Sequence, residues 1–203
     1  MSLLSAVVLA AVAGSTAQWS AISPQTAGKG SNLVVAGVGW PGVEVGYERG
    51  LSDRFDLGAR VSYNYGYEAL LTRLDGFRFQ AVLRFLLAQG ERVSLGLTMA
   101  PGALVYFPRG GTVTGLTLPV LATLGVDIDR GVTLSFCAEL PIWVRFGAGG
   151  GLIVPFLLGF GVETRLSPVV SIWVRGRGGP TFFSYGSRPV TTIDAKAGIG
   201  LHF

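Results

Sequence analysis

The sequence predicts an all-β fold in the form of a closed antiparallel up-and-down transmembrane β-barrel. Long runs in which apolar and polar residues alternate are the main observation. The 203-residue chain is also 49% hydrophobic and only 14% charged, whereas a soluble domain carries about 25% charged residues. Its 31 glycines favour strands over helices, because glycine costs about 1 kcal/mol in a helix and is tolerated in barrels.

The alternation has a period of two, which places successive side chains on opposite faces of a strand. In the run 55–65 the odd positions are apolar or aromatic and the even positions are polar or small. The runs 77–87, 132–146 and 193–203 follow the same pattern. Soluble strands average about 5 or 6 residues, whereas a membrane-spanning strand needs about 9 to 11. The length of these runs therefore favours a bilayer.

Charged residues of these runs fall on the polar face, which a barrel turns toward its lumen. A charge on the lipid side costs about 2 to 4 kcal/mol at the bilayer midplane. Buried charges are costly unless they are paired, so the lumen is either filled by ion pairs or forms a narrow pore with slightly cationic walls. The charged side chains expected to line the lumen are Glu44, Arg60, Arg78, Arg84, Glu139, Arg145, Glu163, Arg175, Asp194 and Lys196.

The connections between runs predict ten strands. An open sheet edge cannot be hydrated in lipid, so the strands must close, and single-chain bacterial barrels have an even number of strands. A tight reversal at Trp40-Pro41-Gly42 gives ten strands with both termini at the end that carries the short turns. Short turns face the periplasm in such barrels. Eight strands are the alternative, if Pro41-Gly42 is a bulge and another run is not a strand.

The N-terminus is interpreted as a signal peptide at residues 1–17, with an apolar segment, small residues after it and cleavage expected after Ala17. No Lys or Arg precedes Leu3, so a buried N-terminal helix is the alternative. Residues 18–31 are polar and are expected to form a periplasmic lead-in with little fixed structure. The barrel domain is expected over residues 32–203.

Aromatic residues near the ends of the runs are expected to form interfacial belts, because amphipathic rings favour the headgroup level. The rings assigned to the upper belt are Tyr63, Tyr65, Tyr106, Phe107 and Phe146. Those assigned to the lower belt are Tyr47, Phe55 and Phe203.

Over residues 32–203 the chain resembles the OmpA/OmpW-like barrel domains of bacterial outer membranes. The resemblance lies in the strand pattern, in the turn from Tyr47 to Gly58 and in the terminal Phe203. It implies that Phe203 is the insertion signal recognised by the barrel-insertion machinery. It also implies the bacterial outer membrane as location, with outer-membrane lipid as a partner.

No catalytic, cofactor or metal site is expected, and the protein is not expected to be an enzyme. His202 is the single histidine and Cys137 the single cysteine, which excludes a His-based metal cluster. Basic residues are dispersed, so nucleic acid is not an expected partner. The first function hypothesis is a narrow pore or small-solute channel. The alternative is a structural or interaction barrel with a plugged lumen, no transport activity and an extracellular partner that the sequence does not name.

Overall fold

The structure, a computed structural model, describes residues 19–68, 72–73, 75–108, 111–129, 131–147, 150–184 and 188–203. Within these residues all regular structure is β, and ten strands form one barrel. The strands are β1 Asn32–Trp40, β2 Gly42–Ser52, β3 Phe55–Asn64, β4 Gly76–Gln89, β5 Val93–Met99 continued by Gly102–Tyr106, β6 Val113–Asp129, β7 Val132–Phe146, β8 Gly151–Pro155 continued by Leu157–Arg165, β9 Val170–Phe183 and β10 Val190–His202. A separate two-stranded hairpin pairs Tyr67–Glu68 with Thr72–Arg73.

Each strand pairs antiparallel with the next, and β1 pairs with β10 to close the ring. At this seam the register runs from Leu33 opposite His202 to Trp40 opposite Ala195. Asn32 and Phe203 exchange two backbone hydrogen bonds of 2.7 and 3.0 Å just beyond it. The predicted ten-stranded closed barrel is confirmed, and the eight-stranded alternative is wrong.

The barrel has two different ends. At the turn end, short turns join β2 to β3, β4 to β5, β6 to β7 and β8 to β9, and both β1 and β10 have their chain-terminal ends there. At the loop end, longer connections join β3 to β4, β5 to β6 and β9 to β10, whereas the connection 147–150 from β7 to β8 is short and a single residue, Pro41, separates β1 from β2. The reversal predicted at Trp40-Pro41-Gly42 is therefore present.

Side chains alternate between the two faces as the period of two predicts. Along β4, for example, Phe79 is 51% exposed on the outer face, whereas Val82 is fully buried inside. The outer face is apolar around the whole ring. Among the described residues of the barrel strands, its charged side chains are Arg49 and Asp129, which both lie near the turn end.

No helix long and apolar enough to cross a membrane occurs in the part of the chain that the structure describes. The predicted signal peptide, residues 1–17, lies outside the described residues.

Two facing glycines make room for a large side chain at the seam. Gly37 and Gly198 are opposite each other on β1 and β10, and the indole of Trp173 lies across them. A Cβ atom added at Gly37 would be 2.6 Å from this ring, and one added at Gly198 would be 2.4 Å from it. The bare backbone of the seam therefore seats Trp173 inside the barrel.

We expect Gly198→Ala to lower the free energy of unfolding by about 1 to 3 kcal/mol, the usual cost of overpacking a core. The added methyl group would meet both the Trp173 ring and the Ala36 carbonyl oxygen, 2.0 Å away. The matched control is Gly176→Ala, where an added Cβ has nothing within 4 Å. Urea unfolding of both variants measures the difference, and equal stabilities would contradict this account of the seam.

Candidate functional site

The interior of the barrel contains three layers between the turn end and the loop end. The first is the plug, which we define as residues 19–28. The second is the charge layer, formed by inward acids and bases of the strands. The third is the loop-end cluster of apolar and aromatic side chains. Each layer fills the lumen by a different kind of interaction.

The plug runs inside the turn end, and its residues are buried. Trp19, Ala21, Ile22 and Ala27 form an apolar cluster with Leu33, Val35 and Trp173 of the wall. The prediction that the segment before β1 has little fixed structure is wrong for residues 19–28. The physical reason is that its backbone polar groups find charged partners on the inner wall, which the sequence does not place next to them.

Glu163 of β8 binds the N–H groups of the plug. Its carboxylate accepts hydrogen bonds from the backbone N–H of Ala21, at 2.9 and 3.1 Å, and from that of Ile22, at 3.3 Å. It also accepts a hydrogen bond from the hydroxyl of Ser20. The same hydroxyl oxygen accepts a hydrogen bond of 2.8 Å from the backbone N–H of Ser23. One carboxylate thus orders the first turn of the plug.

Arg84 of β4 binds the carbonyl groups of the same segment. Its guanidinium donates to the carbonyl oxygens of Ser20, Gln25 and Ala21 at 2.6, 3.3 and 3.4 Å. Glu48 holds this guanidinium from the other side, at 2.9 Å. Arg84 and Glu163 were predicted as lumen-lining charges, and the structure places both against the plug rather than against open space.

The rest of the plug is anchored at the rim of the turn end. Asp56 accepts a hydrogen bond of 2.9 Å from the Ala27 N–H, and Ala27 O lies 2.8 Å from Nε2 of His202. The His202 ring stacks on Trp19, with centroids 5.0 Å apart and planes at 9°. The Trp19 indole N–H donates to Pro168 O at 2.9 Å. The single histidine is therefore an anchor of the plug.

Inward glycines create the space that the plug occupies. At Gly125 an added Cβ would lie 2.2 Å from the Ser23 hydroxyl oxygen, and at Gly161 it would lie 2.8 Å from the Ile22 side chain. The wall glycines whose added Cβ would meet the plug are Gly50, Gly96, Gly125, Gly161 and Gly200. These glycines, on five different strands, are a sequence signal for the plug that the alternation alone does not reveal.

The charge layer is a connected network of ion pairs. Glu44 is bound by Lys196 at 2.6 Å and by Arg175 at 3.7 Å. Asp194 is bound by Arg177 at 2.9 Å and by Lys196 at 3.9 Å. The remaining network contact joins Arg177 to Glu139. Five of the ten predicted lumen residues therefore meet here, together with Arg177.

The three other predicted residues also face inward. Arg60 lies between the charge layer and the plug, 3.9 Å from Glu48. The guanidinium of Arg78 lies 6.0 Å from the centre of the Trp143 ring. Arg145 is half-buried on β7 and has no ion pair with a described residue.

The loop-end cluster consists of Leu104, Tyr106, Trp143 and Ile153, all buried, with Val113 and Phe183 packed against it. Tyr106 was expected in the upper aromatic belt, and this prediction is wrong because the residue is 1% exposed. Even-numbered residues of β5 point inward, so the face of the strand, rather than closeness to its end, decides the position of Tyr106.

Two small cavities lie between the layers in the described part of the barrel. A cavity of about 70 Å³ lies in the charge layer, which gives room for about five water molecules. A second cavity, of about 20 Å³, separates the plug from Arg60 and Arg175. The ion-pair interpretation of the lumen therefore describes this geometry better than a water-filled pore does.

Comparison of the chain with protein-family models and with curated proteins finds no match. The resemblance to OmpA/OmpW-like barrels thus rests on the sequence pattern, with which the closed ten-stranded barrel is consistent.

We expect Glu163→Ala to lower the free energy of unfolding by about 2 to 3 kcal/mol, because it leaves the N–H group of Ala21 buried without an acceptor and leaves that of Ile22 only the Ser20 hydroxyl oxygen at 3.3 Å. The control is Glu91→Ala, which removes an exposed carboxylate from the turn between β4 and β5 and should change stability by less than about 0.5 kcal/mol. Urea unfolding of both variants measures this. Equal stability of the two variants would show that Glu163 does not hold the plug.

Proposed function

We propose that this protein is a bacterial outer-membrane β-barrel whose lumen is closed from the turn end by its own N-terminal segment. The observation that carries the proposal is the burial of residues 19–28 inside the barrel, where Glu163 accepts from two of their N–H groups and Arg84 donates to three of their carbonyl groups. The sequence predicts either a plugged barrel or an open narrow pore, and this observation favours the plugged barrel.

The outer face supports a lipid environment. Phe160, Val174 and Val45 are 63%, 61% and 58% exposed, and similar side chains surround the ring. Soluble monomers rarely expose contiguous apolar patches of more than a few hundred Å², because such a surface drives association in water. Acyl chains would cover this face without that cost.

The ends of the barrel support an orientation. Short turns face the periplasm in outer-membrane barrels, so the plug would enter the lumen from the periplasmic side. Phe203 follows β10 at this end and is exposed, as a residue recognised by the insertion machinery must be. A signal peptide cleaved after Ala17 would leave the plug close to the new N-terminus.

We expect Phe160→Arg to reduce folding into lipid vesicles, because Phe160 is exposed on the outer face of β8 and a lipid-facing charge costs up to about 2 to 4 kcal/mol, depending on its depth. The control is Leu166→Arg, since Leu166 is equally exposed but lies in the turn between β8 and β9. Folding is measured as the fraction of heat-modifiable protein that floats with the vesicles. If both variants fold equally well, or if unmodified protein stays dissolved without detergent, the membrane proposal fails.

A narrow channel that opens when the plug leaves is the second candidate function. The specific observation in its favour is that Glu163 and Arg84 hold the plug through its backbone groups. Water molecules could replace these backbone groups as partners of the two side chains if the plug left the barrel. About eight strands already leave an interior that side chains can just fill, so ten strands without the plug would leave empty space at the turn end, and a passage would also require the charge layer and the loop-end cluster to admit water.

We expect the full-length protein to be silent in a planar bilayer, and a variant that lacks residues 19–28 to give discrete conductance steps. The deletion empties the turn-end layer, where five glycines leave the wall without side chains, and exposes the charge layer to water, so that conduction then needs only the loop-end cluster to admit water. Glu91→Ala should stay silent, which controls for damage to the barrel. Steps of equal size from the full-length protein and the deletion variant would refute the plug.

A further inference from the structure

We propose that the turn end of the lumen is a peptide-binding site, which accepts a segment of another polypeptide in place of the plug. The ligand is a peptide that begins with an indole side chain and continues with mostly small side chains. The site rests on the proposed function, because the turn end must open on the periplasm for such a peptide to reach it. Three features support the site, namely backbone recognition by the wall, an imperfect fit of the plug and an exposed connection to β1.

The wall recognises backbone groups, which every peptide carries. Glu163 accepts hydrogen bonds from two N–H groups of the plug, and Arg84 donates to three of its carbonyl groups. At the other end of the plug, Asp56 accepts from the N–H of Ala27. None of these hydrogen bonds depends on the identity of a plug side chain. A second peptide that follows the same course would therefore form them as well.

The wall selects side chains at the start of the peptide and beside its glycines. The Trp19 ring stacks on His202, and its indole N–H donates to a carbonyl oxygen of the turn between β8 and β9. Further along, Pro24 packs between two glycines. A Cβ atom added at Gly96 would lie 2.8 Å from Pro24, and one added at Gly125 would lie 2.9 Å from it. The site therefore favours an aromatic first residue followed by compact residues.

The plug leaves polar groups of its own site unsatisfied. The hydroxyl oxygens of Ser23 and Ser94 are buried, and neither has a hydrogen-bond partner among the described residues. On the wall, Ser171 Oγ and Asp56 Oδ1 also lack a partner in the described part of the chain. Buried polar groups without partners are rare and costly. A peptide with other polar side chains would satisfy some of these groups, so the wall suits ligands besides its own plug.

The connection between the plug and β1 is exposed. Lys29 and Gly30 lie at the surface, and φ is +86° at Gly28 and +83° at Gly30. The other lysine of the chain, Lys196, is 5% exposed inside the charge layer. A lysine-specific protease should therefore cut the folded chain at one place, between the plug and the barrel. The cut plug is then free to exchange with a peptide in solution.

The test uses the full chain, folded in a neutral detergent and cut after Lys29 by a lysine-specific endoproteinase. A fluorescent peptide with the sequence of residues 19–29 is added, and its anisotropy is followed. We expect saturable binding of one peptide per chain, with release of the cut segment. A peptide with Trp19→Ala should bind about tenfold more weakly, because it loses the ring stacking and one hydrogen bond. A peptide with Lys29→Ala should bind unchanged, because Lys29 is exposed.

A pair of wall variants tests where the peptide binds. Glu163→Gln keeps the size of the side chain and removes the charge that binds two N–H groups, so it should weaken peptide binding about tenfold. Glu91→Gln changes an exposed carboxylate in the turn between β4 and β5 and should leave the affinity unchanged. The two peptide variants keep the test decisive if Glu163→Gln does not fold.

The behaviour of the cut segment distinguishes the peptide site from the proposed function. If the segment stays with the barrel in gel filtration but does not exchange, or if a scrambled peptide binds equally well, the peptide site is refuted and the plug stands. If the segment dissociates and no peptide binds, the proposed function fails too. Should the bond after Lys29 resist the protease, a recognition sequence inserted after Gly30 gives the same cut, since a Cβ atom added there has nothing within 4 Å.

Discussion

The pairing of β1 with β10 is the constraint on which the rest of the structure depends. Ten strands leave no unpaired edge once Leu33 lies opposite His202 and Trp40 opposite Ala195. Closure also divides every strand into an outer and an inner face, so that one set of side chains is enclosed. Among the described residues of the barrel strands, the enclosed set contains the charged side chains other than Arg49 and Asp129, and its packing must satisfy that charge without bulk water.

The three layers solve this problem in different ways. In the charge layer, strand residues satisfy each other, as Glu44 does with Lys196. At the turn end, charged side chains of the wall bind backbone N–H and carbonyl groups of the plug. Glu163 and Arg84 then bind opposite ends of the peptide dipoles. The plug is therefore a structural complement of the wall, and the inward glycines are the space reserved for it.

The sequence predicted what depends on local periodicity. The faces of the strands, the reversal at Pro41 and the inward direction of the charges all follow from a period of two and from turn chemistry. The plug could not be predicted this way, because residues 19–28 have no period and Ser20 is 143 positions from its partner Glu163. Tyr106 lies at a strand end, where an aromatic ring favours the headgroup level, but its even position on β5 turns the ring inward.

Because inward bases and acids pair with each other, the number of inward bases does not by itself predict whether the lumen conducts anions. A pore with slightly cationic walls would follow from the number of inward bases only if these bases faced water. Most of them are instead neutralised by acids of the wall, so the lumen has little field left to select ions.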